Sequence, residues 1–587
     1  MRNTAARVAL AAVYLAALAT ARAHGDHESM DMDTNMNMDM QATATSSHVT
    51  ASPTVSGHPN GAMSYFAYGK HSSSILAHII LMVLGWCFVL PAAVMLSIAR
   101  SRLALPSQFL FAVLNGFGVL LGIVYNNQTP DLYKNNAHHK IGWIGTCVVG
   151  VQVILALIFT YAGRGESKSS SYERASFLPI PSHQERSFQS APLHEYRWSG
   201  DSGQGSEPSS SIHSPGSPCD CPTDYDGFEK PEEPLPAHLA RKGWFHRSVM
   251  DRFLSKRLPG MVSNRVLRIC NVIYNVTDRI ILPFGFVAIT TGAVAYGGIM
   301  RHREIFNGLA HFIKGGIFFW YGILTLGRYV GCWADLGWAW NKKPMSPIVS
   351  RWKAKIPSAE FVECLVIFTY GVSNVFLEHL SNWGKPWSAT DLEHVSISIM
   401  FFGGGLVGML FESSRIREAL NNTVLASPAH GTRDEGWHLP KSQGVSLNPM
   451  PALIILLLGM MMGSHHQTSM TSTMVHKQWG NMLVGFALAR GMTCVLLFLR
   501  PPTSYLPARP PTEIIASFCL MSGGLIFMLS TRNVIEAMEF YDMDAMFTFT
   551  VGMGFTALIM ALEISVIALK AWAVKREQRE QVTYRFS

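Results

Sequence analysis

The feature that most constrains this chain is a series of long apolar runs, each close to the thickness of a lipid bilayer. A transmembrane helix needs about 20 consecutive apolar residues. Eleven runs of roughly this length occur, at 73–99, 107–125, 140–162, 280–298, 307–330, 359–380, 391–412, 449–463, 479–498, 512–530 and 546–570. They are continuously apolar rather than alternating, which favours helices over a barrel. The sequence therefore predicts an all-α, polytopic helical membrane protein with about eleven transmembrane helices.

Composition agrees with a lipid bilayer as the main partner. Charged residues make up 15% of the chain, against about 25% in ordinary globular proteins. The net charge of +8 is small and scattered, so nucleic-acid binding is not predicted. Protein partners remain unknown from the sequence.

The first 70 residues are expected to lie outside the membrane domains. Residues 1–23 resemble a secretory signal peptide, because Arg2 and Arg7 precede an apolar core that is followed by a small-x-small pattern ending at Ala23. An uncleaved anchor is the alternative. Residues 24–70 are polar and rich in Met and His at their start, which predicts a disordered exoplasmic tail.

The apolar runs fall into two modules. Residues 71–165 are predicted to form a three-helix membrane module, and 266–573 an eight-helix module. The segment 166–265 is rich in Ser, Pro, Gly and Glu, and is predicted to be a disordered cytosolic linker. Residues 574–587 are predicted to be a cytosolic tail.

Charge distribution predicts the orientation. With the mature N-terminus exoplasmic, about 34 Lys and Arg fall on the cytosolic side and about 9 on the other, which agrees with the positive-inside rule. The C-terminus is then cytosolic. The signal peptide assigns the protein to membranes of the secretory pathway, namely the endoplasmic reticulum, the vacuole or the plasma membrane.

With this topology, histidines gather on the exoplasmic face. Imidazole suits Cu(II) and Zn, and thioether sulfur suits Cu(I), so copper or zinc is the predicted metal. The methionine-rich tail is also similar in composition to the ectodomains of eukaryotic high-affinity copper transporters. Tolerance of His at a membrane interface is the competing explanation. The candidate metal ligands are Met30, Met32, Met36, Met38, Met40, His379, His394, His465, His466 and His476.

A second set of candidates consists of ionisable residues inside the apolar runs. Such residues are costly in lipid and often functional. Lys314 lies one turn after His311 and on the same helix face. Arg490 and Glu563 each lie in the middle of a run, where an interhelical ion pair between them is the structural alternative to a role in transport.

Four stretches carry a family resemblance. They are HFIKGGIFFWYGILTLGRYVG (311–331), FLEHLSNWGKPWSATDLEHVSISIMFFGGGLVGMLFES (376–413), GSHHQTSMTSTMVHKQWGNMLVGFALARGMT (463–493) and RPPTEIIASFCLMSGGLIFM (509–528). These stretches resemble the fungal YTP-type family over about 266–573, and 64–165 looks like the domain that usually precedes it. The resemblance implies a multi-pass membrane protein with no established activity.

A looser resemblance concerns the first module. LAHIILMVLGWCFVLPAAVMLSIAR (76–100) and NNAHHKIGWIGT (135–146) look like the ascorbate-reducible transmembrane cytochromes b. That resemblance implies that His78 and either His138 or His139 ligate one b-type haem. Those cytochromes use four histidines for two haems, one at each membrane face, whereas this module has histidines at its exoplasmic side alone.

Three classes of function remain open on the sequence. Metal-ion handling or transport through an exoplasmic His/Met cluster is the preferred specific activity, and the alternatives are a b-type haem oxidoreductase and a non-catalytic membrane scaffold. The chain contains no G-x-x-x-x-G-K-[ST], G-x-S-x-G or H-E-x-x-H motif. Whether the protein is an enzyme is left open.

Overall fold

The structure is a computed structural model that describes residues 64–166, 264–302, 304–377, 386–425, 440–465 and 467–586. All regular secondary structure in these ranges is helical, which confirms the predicted all-α class. The predicted signal peptide, nearly all of the tail with its five candidate methionines, nearly all of the linker, His379 and His466 lie outside the described residues.

Thirteen helices organise the described ranges, apart from several short turns. They are α1 (Ser72–Ile98), α2 (Ala104–Gln128), α3 (Ala137–Glu166), α4 (Asn264–Gly297), α5 (Glu304–Val330), α6 (Ala359–Leu377), α7 (Ala389–Glu412), α8 (Ser414–Leu425), α9 (Met450–Ser464), α10 (Met470–Leu499), α11 (Thr512–Leu529), α12 (Arg532–Phe540) and α13 (Ala545–Phe586). Within these ranges, nine helices are long and apolar enough to cross a membrane. Helix α9 is shorter, and eleven spans remain a prediction.

Helices α1 to α4 pack as a four-helix group. Trp86 lies at its centre with Phe111, Val149 and Ile281, one residue from each of the other three helices. The indole Nε1 of Trp86 donates to Asn115 Oδ1 at 3.0 Å. Helix α4 thus packs with the first module, although the predicted boundary at 266 assigns it to the second.

The second group is built on very close helix contacts. Helices α5, α11, α10 and α9 pack in that order, while α6 packs on α7 and both touch α9. Gly315 of α5 meets Gly524 of α11, which lets the two backbones approach closely without side chains between them. Next to this contact, Trp479 and Phe527 stack with ring centroids 4.1 Å apart.

Loop contacts place the starts of α3 and α5 at one end of the molecule. The hydroxyl of Tyr133, before α3, donates to the carbonyls of Ile299 and Met300, before α5, at 2.8 Å each. The backbone N–H of Met300 donates to Asn533 Oδ1 at 3.1 Å. Every histidine among the described residues lies at or near this end, and we call it the histidine end.

Helix α13 joins the two groups at their other end. Ala573 packs on Leu96 and Ala99 at the end of α1. The helix then continues to Phe586, through the segment predicted as a terminal tail. This segment is rich in Lys, Arg, Glu and Gln, which are good helix formers.

Candidate functional site

The structure brings His78 of α1 and His138 of α3 together. Their ring centroids are 6.3 Å apart and their ring planes are nearly perpendicular, at 80°. His78 Nδ1 donates to the carbonyl of Gly118 at 2.7 Å, and His138 Nδ1 donates to that of Ala288 at 3.1 Å. A proton on Nδ1 leaves Nε2 of each ring as the ligand nitrogen. His139, the next residue along α3, is exposed.

Two glycines make room for these rings. A Cβ atom on Gly122 would lie 3.0 Å from His78 Nδ1, and a Cβ atom on Gly292 would lie 3.0 Å from His138 Cε1. Both distances are shorter than ordinary van der Waals contact. Helices α2 and α4 therefore press backbone, rather than side chains, against the two imidazoles.

A second histidine pair lies in the other helix group. The rings of His311 (α5) and His476 (α10) have centroids 6.1 Å apart and planes at 89°. Each Nδ1 donates to a carbonyl one turn earlier in its own helix, that of Asn307 at 2.9 Å and that of Ser472 at 2.8 Å. Phe527 packs against His311, with centroids 5.5 Å apart.

The remaining predicted ligands surround this second pair loosely. His394 and Lys314 are close enough to His311 to affect it electrostatically, and His465 is similarly close to His476. His465 is exposed at the end of α9. In the part of the chain that the structure describes, no three His, Cys, Asp or Glu side chains are arranged to share one metal ion.

Five buried charged side chains interact at the opposite end of α5, and we call them the ion network: Arg328, Glu360, Glu363, Arg490 and Glu513. Arg328 binds Glu360 through Nη2 and Glu363 through Nη1, each at 2.6 Å. Arg490 Nη1 lies 3.2 Å from Glu363 Oε2, and its Nε lies 2.7 Å from Glu513 Oε1. The network thus connects α5, α6, α10 and α11.

Aromatic rings line the network. Trp340 lies under both arginines, with its ring centroid 4.2 Å from Arg328 Cζ and 5.6 Å from Arg490 Cζ. Arg490 Nη1 also donates to the Tyr321 hydroxyl at 3.4 Å. Because the rings replace water around the guanidinium groups, the network is held in a dry environment.

The ion pair that the sequence suggests between Arg490 and Glu563 does not form. Glu513, at the start of α11, lies at the depth of Arg490 and takes its place. Glu563 lies on α13 beside Gly327, 3.6 Å from the position of a Cβ atom there. One of its carboxyl oxygens is buried without a hydrogen-bond partner.

A cavity of about 380 Å³ separates the histidine end from the ion network. It lies between α5, α6, α7 and α9, with one residue each of α10 and α11 in its wall, which is apolar and strongly aromatic. Lys314, His394 and Asn374 line it toward the histidine end, and Tyr321 and Glu363 line it toward the ion network. The aromatic lining residues are Phe318, Trp320, Tyr321, Tyr370, Phe401, Trp479 and Phe527.

Four members of the ion network were missed by the sequence argument. Arg328, Glu360 and Glu513 lie within three residues of a helix end, and charges there are usually assigned to the interface. Glu363 lies in the next turn of the same helix as Glu360. The spacing Glu360–Glu363 does place both carboxylates on one helix face, and this spacing was the available indication.

The sequence is similar to known membrane proteins along most of its length. Residues 284–571 match the family described as Protein YTP1-like, C-terminal, and residues 60–162 match a Domain of unknown function (DUF2427). The uncharacterized membrane protein C3B8.06 of Schizosaccharomyces pombe is 34% identical over 518 residues, which are 87% of this chain and 96% of that protein.

Two Saccharomyces cerevisiae proteins are also similar over shorter regions. The uncharacterized membrane protein YCR061W is 38% identical over 334 residues, 54% of this chain and 50% of its own. Protein YTP1 is 25% identical over 275 residues, 47% of this chain and 49% of its own. No solved structure matches the chain. The names of these relatives assign no activity.

Proposed function

Because the chain belongs to the fungal YTP1-like family of multi-pass membrane proteins, we propose that it is a membrane redox protein whose first helix group holds one b-type haem. The observation that carries this proposal is the His78–His138 pair. Two imidazoles on opposite sides of one ion have centroids about 6 Å apart, because each metal–nitrogen bond is about 2 Å and each nitrogen lies about 1 Å from its ring centroid. The centroids of His78 and His138 are separated by 6.3 Å.

The surroundings of the pair support the same proposal. Each Nδ1 is held by a backbone carbonyl from a neighbouring helix, an arrangement that fixes ring orientation and ligand nitrogen in metal and haem sites. His78 and His138 would hold the iron. When bound, a b-type haem supplies one-electron transfer. The chain's own contribution would be to fix the orientation of His78 and His138 and to keep side chains away from their rings at Gly122 and Gly292.

The pair also limits the reaction. All histidines among the described residues lie at or near the histidine end, so the described residues would supply histidine ligands for a haem at one end of the helix bundle. The proposed electron transfer is therefore between partners at that end, not across the bilayer. The positive-inside pattern of the sequence supports the exoplasmic face of a secretory-pathway membrane as the location of that end.

A difference spectrum tests the proposal. We expect full-length protein from haem-replete cells to show a Soret band and reducible visible bands, at about one haem per chain. His78→Ala and His138→Ala should each abolish these bands, whereas His139→Ala, the adjacent exposed histidine, should leave them unchanged. A colourless wild-type protein, or bands that survive in His78→Ala, would refute the assignment.

Metal-ion handling at the histidine end is the second candidate function. It is favoured by the His311–His476 pair, whose ring centroids lie 6.1 Å apart, close enough for small side-chain movements to bring both imidazoles onto one ion. His394 and His465 lie nearby, and the other candidate ligands, His379, His466 and the tail methionines, are outside the described residues. Elemental analysis of wild type against His476→Ala separates this candidate from the first, because His78→Ala should leave the copper or zinc content unchanged.

A further inference from the structure

The ion network contains more negative than positive charge. It has two arginines, which stay protonated in proteins, and three glutamates, so it carries a net charge of −1 when all are ionised. All five side chains are at least 89% buried, since their exposed fractions range from 0% to 11%. An uncompensated charge in such a place is costly. The network therefore requires one additional positive charge.

Glu363 is the member of the network through which that charge can be supplied. It lines the cavity, while Glu360, Glu513 and both arginines do not. The titratable groups around Glu363 are Arg328 and Tyr321 of α5, Arg490 and Cys494 of α10, Glu513 of α11, and Glu360 and Cys364 of its own helix. The lining of α9 is apolar, and the lining of α7 adds His394 at the other end.

The cavity wall selects the kind of cation. Seven aromatic rings line it, and aromatic faces attract cations that have lost their water. A volume of about 380 Å³ lies within the range of small-molecule sites, about 300–1,000 Å³. Lys314, which would repel a cation, lies seven residues before Tyr321 on α5, about 10 Å away along the helix axis.

We propose that this cavity binds a hydrophobic organic monovalent cation in exchange for one proton held by the ion network at Glu363. When the cation enters, the proton leaves the carboxyl group for bulk water, so that the charge enclosed by the cavity does not change. The site is separate from the proposed haem ligands and does not depend on them.

Tetraphenylphosphonium is a suitable probe for the full-length protein in lipid nanodiscs. We expect saturable binding that releases about one proton per cation in weak buffer and weakens as the pH falls, because protons compete. Glu363→Gln leaves two arginines and two glutamates, a balanced network, so this variant should fold and should lose both binding and proton release. Glu393→Gln, an exposed glutamate on α7, is the matched control.

A second variant tests the cavity without changing any charge. Ile397 lines the cavity, and Ile397→Trp should weaken tetraphenylphosphonium binding at least tenfold. Val407 lies on the same helix, 52% exposed, and Val407→Trp should bind as wild type does. The proposal is overturned if wild type does not bind the probe, if binding persists in Glu363→Gln or Ile397→Trp, or if binding releases no proton.

Discussion

The contact between α5 and α11 yields a quantitative prediction for Gly524→Ala. A Cβ atom at this position would lie 2.5 Å from the carbonyl oxygen of Gly315 and 2.5 Å from the backbone nitrogen of Phe319. Both are backbone atoms, so no side chain can rotate to relieve the overlap. The two helices must separate by about 1 Å to restore ordinary contact, and overpacking of this kind costs about 1–3 kcal/mol.

Alanine also has a higher helix propensity than glycine, by about 1 kcal/mol, and the control must cancel this gain. Gly554 lies in the interior of α13, and a Cβ atom there has no neighbour within 4 Å. Gly554→Ala should therefore keep the propensity gain without the overlap. The difference in unfolding free energy between the two variants therefore measures the cost of the overlap alone. Gly554→Ala should be the more stable variant by about 1–3 kcal/mol.

Thermal unfolding of the full-length variants in one detergent measures this difference. A change of 1 kcal/mol in the free energy of unfolding shifts the midpoint temperature by no more than about 2–4 °C in a protein of this size. The midpoint of Gly524→Ala should therefore lie a few degrees below that of Gly554→Ala. Equal midpoints would mean that the two helices are not in backbone contact, and the close approach on which the position of α5 depends would be wrong.

Three further predictions concern buried polar contacts. Arg490→Met should cost about 3–5 kcal/mol in thermal unfolding because it removes the charged partner of Glu513, whereas Glu513→Leu leaves two arginines and two glutamates, a balanced network, and should cost less. Asp278→Ala should destabilise the first helix group more than Asp278→Asn, because the amide keeps a hydrogen bond to Gln152; the midpoints of the two variants compare them. Burial raises the pKa of Tyr133 in the folded protein. The stability that the neutral Tyr133 hydroxyl contributes is therefore complete below the pKa of tyrosine in the unfolded chain, about 10. This contribution is lost as the pH rises through the higher pKa of the folded state. Tyr133→Phe should therefore be less stable at neutral pH, and its unfolding midpoint should fall less steeply in alkali.

Much of the fold follows from hydrophobic length alone. The predicted run 391–412 lies within α7 (Ala389–Glu412), and 512–530 corresponds to α11 (Thr512–Leu529). Length does not say which helices pack together. Helix α4 follows the linker in sequence but packs on α1 to α3, because Ile281 completes the core around Trp86.

The sequence likewise predicts where the histidines lie but not which of them meet. Topology places them at one end, but it cannot distinguish His138 from His139, since the choice depends on the rotation of α3 about its axis. The structure turns His138 inward and leaves His139 exposed. The histidines also form two separate pairs rather than one large cluster, because His78 and His311 belong to different helix groups.

The two histidine pairs differ in what fixes their rings, and this difference decides which one is the better preorganised site. His311 and His476 bond to carbonyls of their own helices, so each ring keeps its orientation even if α5 and α10 move apart. His78 and His138 bond instead to carbonyls of α2 and α4, so their orientation depends on all four helices of the first group. A ligand held between His78 and His138 would in turn hold those helices together. Haem binding and folding should therefore be coupled at the His78–His138 pair. Haem-loaded protein should unfold at a higher temperature than haem-free protein from the same cells.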